Sequence, residues 1–209
     1  MKYSLYADTY CYKDNPDILI NNFNIRNKQE LAIVEQKIVE EKLNKLLSYP
    51  QGNYNLQHLQ LLHKYLFGDI YPWAGELRTV DISKDNTPFC KPQYIVKEYN
   101  KLYENYIHKN NYLKDYKKSE IYKHLSYYHG EINIIHPFRE GNGRTTRALL
   151  SLLTNNTHDL ILNYNCLNNN DIIQASKDSV LSNYTLMDNL YKKIINSSKS
   201  IKKDINIER

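Results

Sequence analysis

Glycine and proline are scarce in this chain, six of each in 209 residues, about 6% together and roughly half the usual share. So few breakers exclude an architecture of many short strands and turns and predict a mostly helical protein. Cysteine is scarcer still. Cys11, Cys90 and Cys166 form an odd set at wide spacing, which argues against both a disulfide framework and a structural zinc site. No apolar run approaches the ~18 residues a membrane-spanning helix needs, and mean hydropathy is -0.69. The opening MKYSLYADTYCYKD lacks the apolar core and small-residue cleavage site of a secretory signal, so a cytoplasmic protein with no membrane partner is expected. A block of like charge is also missing. The 28 Lys and Arg outnumber the 23 Asp and Glu by five, but both signs are interspersed, which leans toward anionic ligands without predicting direct nucleic-acid binding. No GxxxxGK[ST] occurs, so a P-loop is excluded.

What is present is helical periodicity. Residues 27–49 place Leu31, Val34, Ile38, Leu43, Leu46 and Leu47 near one face, with Lys and Glu opposite, before Pro50 and Gly52 stop the helix. A second helix starts near Asn55, carries Leu56, Leu59, Leu62, Tyr65 and Leu66, and ends toward Gly68. The stretch 69–92 breaks the pattern with three of the six prolines. Its alternating Thr79-Val80-Asp81-Ile82 followed by Lys84-Asp85-Asn86-Thr87 predicts a strand entering a small two-stranded flap. Helices are then predicted at about 93–109, 116–133, 143–155, 170–178 and 182–199. With no repeat, linker or seam, residues 1–209 are expected to form one all-α domain, a helical bundle with a β-hairpin insert.

One run concentrates the rare residues: His136-Pro137-Phe138-Arg139-Glu140-Gly141-Asn142-Gly143-Arg144-Thr145-Thr146-Arg147. Pro137 cannot continue the helix that ends in Ile134-Ile135, and the next helix begins near Gly143, so the run is a loop feeding a helix N-terminus. That geometry binds anions, because unpaired N–H groups and the helix dipole meet there and Gly-Asn-Gly can turn successive N–H groups inward. Arg144 and Arg147, three apart, project toward the same anion. Phe138 is expected to pack in the core and steady the loop. Singly each residue has an ordinary explanation. Together they supply a base near neutral pH, an oxygen ligand for a divalent cation, a phosphate nest and two guanidinium groups, the parts of phosphoryl or nucleotidyl transfer.

The run matches every defined position of HPFx[D/E]GNGRxxR, and with YPWAGELRTVDISKDNTPF at 71–89 the chain resembles the Fic domain family, firmly over about 55–160. The resemblance implies a helical Fic fold with helical additions at both ends, and an enzyme that moves AMP from ATP onto a Ser, Thr or Tyr hydroxyl of a target protein. It implies that His136 is the general base, that Glu140 holds Mg²⁺, that Gly141, Asn142 and Gly143 form the anion hole, and that Arg144 and Arg147 take the β- and γ-phosphates. The flap, Ile82, Ser83, Lys84, Asp85, Asn86, Thr87 and Pro88, would align the target by main-chain pairing. Many relatives carry an inhibitory helix with [S/T]xxxE[G/N]. No Ser or Thr here is followed four residues later by Glu, and Ser200 with Asp204 is the nearest miss. That places the chain with toxins whose inhibitory Glu helix comes from a small antitoxin, and such proteins modify type II topoisomerase subunits. The contrasting expectations are a catalytically idle Fic-fold binding module and a basic helical DNA-binding protein.

Overall fold

The computed structural model describes residues 9–84 and 87–207. Among them seven α-helices follow in chain order: α1 Lys28–Asn44, α2 Leu56–Phe67, α3 Ile95–Leu102, α4 Tyr122–Ile135, α5 Asn142–His158, α6 Asn169–Val180 and α7 Thr185–Ile207. Two small antiparallel hairpins accompany them, β1 Cys11–Tyr12 with β2 Asn15–Leu19, and β3 Ser83–Lys84 with β4 Thr87–Pro88. The all-α bundle with a hairpin flap is thus the observed architecture.

Several of the abundant asparagines start these helices. Asn27 accepts from the N–H groups of Gln29 and Glu30 at 2.9 and 3.0 Å, Asn55 from His58 at 2.9 Å, and Asn168 from Asn170 at 2.9 Å. Each cap satisfies donors that the first helical turn leaves without partners. Leu59, Leu62, Leu66 and Phe67 of α2 are fully buried, a gross burial of about 6–12 kcal/mol at 1.5–3 kcal/mol per side chain. That burial fixes α2 against α5 and α1, while α4 packs on α5, α6 and α7. Helices α2, α4 and α5 therefore form the frame from which the 136–147 loop hangs.

The structure departs from the sequence pattern in places. Helix α1 ends at Asn44, and Leu46–Ser48 form a single 3₁₀ turn that leaves Leu47 48% exposed instead of on the buried face. Helix α4 starts only at Tyr122, after a positive-φ turn at Asn111–Leu113 and further turns over 114–121. The run Thr79–Ile82 is not a strand: the Thr79 N–H bonds the Tyr10 hydroxyl at 3.1 Å and the Val80 carbonyl accepts from Arg78 at 2.8 Å, which takes both groups out of any ladder. The flap ladder begins only after that run, with Ser83 opposite Pro88 and Lys84 opposite Thr87. The hairpin β1–β2 was not foreseen, since it is short and carries Pro16. Asp85 and Asn86, expected at the flap tip, lie outside the described residues, as do the side chains of Ser200 and Asp204.

Candidate active site

Pro137 disfavours a helical conformation for the residue before it. His136 accordingly leaves α4 in the left-handed region, at φ 47° and ψ 62°, while its N–H still bonds the Ile132 carbonyl at 2.9 Å. The ring is oriented by two contacts. Its Nδ1 lies 3.1 Å from the Asn133 carbonyl, and it stacks on Phe89 of the flap's return leg with centroids 3.8 Å apart. A carbonyl can only accept, so Nδ1 carries the proton and Nε2 keeps a free lone pair. Burial, with Arg78 and Lys84 adding positive charge nearby, lowers the imidazole pKa to about 3, which keeps it neutral at physiological pH. A neutral, oriented imidazole is the form that accepts a proton.

Glycine is required at position 141. Its φ is +80°, and a Cβ there would sit 2.5 Å from the Cε2 and Cζ of Phe67. Gly143 is different: it lies in α5, has no positive φ, and a Cβ would meet only the Arg147 guanidinium at 3.4 Å. Gly143 thus clears space beside Arg147 without supplying an unusual backbone shape. Asn142 departs further from a simple anion-hole part. Its Oδ1 accepts from the Phe138 N–H at 2.8 Å and its Nδ2 donates to the Phe138 carbonyl at 2.8 Å, so the side chain staples the loop while the main-chain N–H stays available for an anion. The first intrahelical bond of α5 runs from Thr145 N–H to the Gly141 carbonyl at 3.0 Å, which leaves the N–H groups of Asn142, Gly143 and Arg144 without intrahelical acceptors. A helix start of this kind can bind an anion.

Glu140 folds over that helix start. Its carboxylate accepts from Gly141 N–H at 2.9 Å and lies 3.7 Å from Arg144. A single carboxylate fits Mg²⁺, which commonly takes much of its octahedral shell from substrate phosphates and water. Among the described residues no cluster of three His, Cys, Asp or Glu side chains offers an all-protein metal cage. Arg144 rests over the Phe67 ring, 4.8 Å from its centroid, and pairs with Glu35 of α1 at 2.6 Å. Arg147 is half-buried, 5.9 Å from the Tyr164 ring, beside a pocket that His129 and Tyr191 also line. Among the described residues no carboxylate pairs with it.

Three residues that carry the site were not assigned roles from sequence. His63 of α2 accepts from Gly75 N–H at Nδ1, 2.8 Å, and its Nε2–H donates to the Glu140 carbonyl at 3.0 Å, while its ring stacks on Phe138 at 3.9 Å. Both bonds require the neutral tautomer, and burial lowers its pKa to about 4. Arg78, 2% exposed, donates to the carbonyls of Val80, Cys90, Ile135 and His136, with 2.7 Å to the last, and its own N–H bonds the Pro137 carbonyl at 2.9 Å. One guanidinium thereby ties both legs of the flap to the catalytic loop. Glu35 is the third. Of the expected flap residues, Ile82 is buried and its carbonyl accepts from Phe89 N–H at 3.2 Å, within the hairpin. Ser83, Lys84, Thr87 and Pro88 form the ladder.

A profile of the Fic/DOC family matches residues 53–154. "Probable protein adenylyltransferase y4lH" of Sinorhizobium fredii is 35% identical over 154 residues, 74% of this chain and 79% of that protein. "Probable protein adenylyltransferase Fic" of Escherichia coli is 32% identical over 193 residues, 91% of this chain and 94% of the relative. Among solved structures, BepC of Bartonella tribocorum with bound AMPPNP superposes with a TM-score of 0.80 at 21% identity, covering 88% of this chain and 95% of that one. The Fic domain of Bep8 from Bartonella sp. 1-1C gives 0.81 at 21% identity, over 90% and 94%.

Proposed function

Because the chain belongs to the Fic/DOC family, we propose that it is a protein adenylyltransferase, transferring AMP from ATP to a hydroxyl of a target protein. The observation that carries this reading is the pairing of a neutral, oriented His136 with an open helix start at Asn142–Arg144 on one continuous loop. His136 Nε2 takes the proton of the incoming Ser, Thr or Tyr hydroxyl, the hydroxyl oxygen bonds to the α-phosphorus, and the bond to the pyrophosphate oxygen breaks. The main-chain N–H groups, Arg144 and Arg147 hold the polyphosphate and stabilise the charge shifted onto the leaving group. Glu140 would hold Mg²⁺, which supplies further neutralisation of that charge. The antiparallel pair of Ser83–Lys84 with Thr87–Pro88 would give an extended target segment a strand to pair along.

The test is incubation of the wild-type chain and His136→Ala with ATP, Mg²⁺ and a bacterial lysate, followed by intact mass spectrometry. A mass increase of one AMP on a lysate protein, reduced about 10²- to 10⁴-fold with His136→Ala while ATP affinity is kept, is the expected result. An adduct independent of His136, or loss of ATP affinity in that variant as large as in Arg144→Ala, overturns the assignment.

We further infer that the chain is the toxin of a toxin–antitoxin pair and that a small partner supplies a Glu to Arg147. Supporting this are the half-buried Arg147, which no carboxylate pairs with among the described residues, and the missing [S/T]xxxE[G/N]. A type II topoisomerase subunit is the proposed target. Growth arrest on expression, relieved by a co-purifying small protein but not by its Glu→Ala variant, is expected. Absence of arrest refutes the toxin role.

A further inference from the structure

Helix α1 lies outside the 53–154 segment that the family profile covers, yet it reaches into the phosphate site. We propose that Glu35 is a positioning residue of the nucleotide site, holding Arg144 in the orientation that receives the β-phosphate. The proposal rests on the adenylyltransferase reading above.

Three contacts fix Arg144. Its Nη1 meets Glu35 Oε1 at 2.6 Å, its guanidinium lies over Phe67, and its Nη2 is 3.7 Å from Glu140. Glu35 is itself held from behind, since its other oxygen accepts from the Tyr71 hydroxyl. Tyr71 is 2% exposed and stacks on Trp73 with centroids 4.6 Å apart. Burial first, and then the Glu35 carboxylate, raise the Tyr71 pKa, so the phenol stays a donor. The chain of support thus runs from the core through Tyr71 and Glu35 to Arg144. At the site the Glu35 side chain is 14% exposed and that of Arg144 25%, so neither swings freely in solvent.

A carboxylate beside a phosphate-binding arginine could compete with the phosphate instead of aiding it. The geometry points to support. A guanidinium offers five donors in a planar fork, and Glu35 engages the Nη1 side only, leaving other donors for a second anion. Glu35 is also anchored by a buried phenol, where a competitor would have to be free to leave. An arginine prealigned in this way binds its anion without first losing its own rotamer freedom.

Nucleotide length separates this role from a merely structural one, because AMP lacks the β-phosphate that Arg144 would receive. Calorimetry of ATP, ADP and AMP binding with Mg²⁺ is measured for wild type, Glu35→Ala and Glu35→Gln. Wild type is expected to bind ADP more tightly than AMP; if it binds no nucleotide, the adenylyltransferase reading fails first, and the present proposal with it. Glu35→Ala should weaken ADP and ATP about tenfold or more with AMP affinity unchanged, and Glu35→Gln, which keeps the shape and one acceptor, should lose about half as much on a logarithmic scale. ADP affinity unchanged or raised in Glu35→Ala overturns the proposal, the latter marking Glu35 as a competitor. Equal losses for AMP and ADP also overturn it, since they mark general disturbance of the site. If Glu35→Ala does not fold, Glu35→Gln decides: an unaltered ratio of ADP to AMP affinity refutes the positioning role.

Discussion

Replacing Gly141 by Ala tests the geometry of the loop in two separable parts. The first is conformational: at φ +80° an L-residue in the left-handed region costs about 1–2 kcal/mol. The second is steric. The new methyl would sit 2.5 Å from Cε2 and Cζ of Phe67, a ring that is fully buried and cannot swing aside without disturbing the core, which adds about 1–3 kcal/mol of overpacking. Against these, Ala restricts the unfolded chain and returns about 0.4–1 kcal/mol. The net expectation is a loss of about 1–5 kcal/mol, read as a lower urea midpoint with unchanged m-value. Phe67→Leu removes the two ring atoms that the methyl strikes. In the cycle of wild type, both single variants and the double variant, Phe67→Leu should therefore rescue the steric part, a coupling of about 1–3 kcal/mol, and leave the conformational part in place. A Gly141→Ala loss below about 0.5 kcal/mol, or a coupling of zero, would refute a loop held in this conformation against the Phe67 ring.

Arg78→Met leaves four main-chain carbonyls without their donor and should cost at least about 3–5 kcal/mol by chemical denaturation, with Arg78→Lys intermediate because an ammonium cannot serve all four acceptors. An Arg78→Met variant within about 1 kcal/mol of wild type would show that the flap legs are held by other means. Stability should also fall on acidification. The imidazoles of His63, His129 and His136 have pKa values lowered from 6.5 to about 4, 3 and 3, chiefly by burial, so between these values and 6.5 the unfolded chain binds more protons. Stability present above pH 6.5 is thus lost as pH falls toward 3, with His63 alone accounting for about 3 kcal/mol. Urea midpoints that do not change between pH 7 and pH 4 would contradict these buried neutral histidines.

The helices were legible because their signal is local. Leucines three and four apart mark α2 wherever it goes, and Asn before an apolar run marks its start. The loop 136–147 was legible because its residue types are rare elsewhere in the chain. What escaped depends on chain returns that no local pattern encodes. Arg78 was visible in YPWAGELRTV, but its role arises only when Cys90 and Ile135–His136 come back beside it. Glu35 lies between Leu31 and Val39, the two buried residues of α1, so its inward side was legible, but its partner Arg144 of α5 was not. Asn142 carries a second task that its type did not announce. Its place suits an anion hole through the main-chain N–H, while its short side chain, four residues from Phe138, satisfies both main-chain groups there.

The support of the 136–147 loop has a consequence for how such a site can be switched. Asn142 closes the loop on itself, His63 holds it from α2, and Arg78 holds it from the flap root. Each of these ties is rooted in fully or nearly fully buried side chains. An effector that worked by reshaping the loop would have to break several of them together, at a cost comparable to the stability of a whole domain. On the proposed reading, an inhibitor of this site would act by occlusion, standing where a phosphate would stand, and its release would restore a loop already in place.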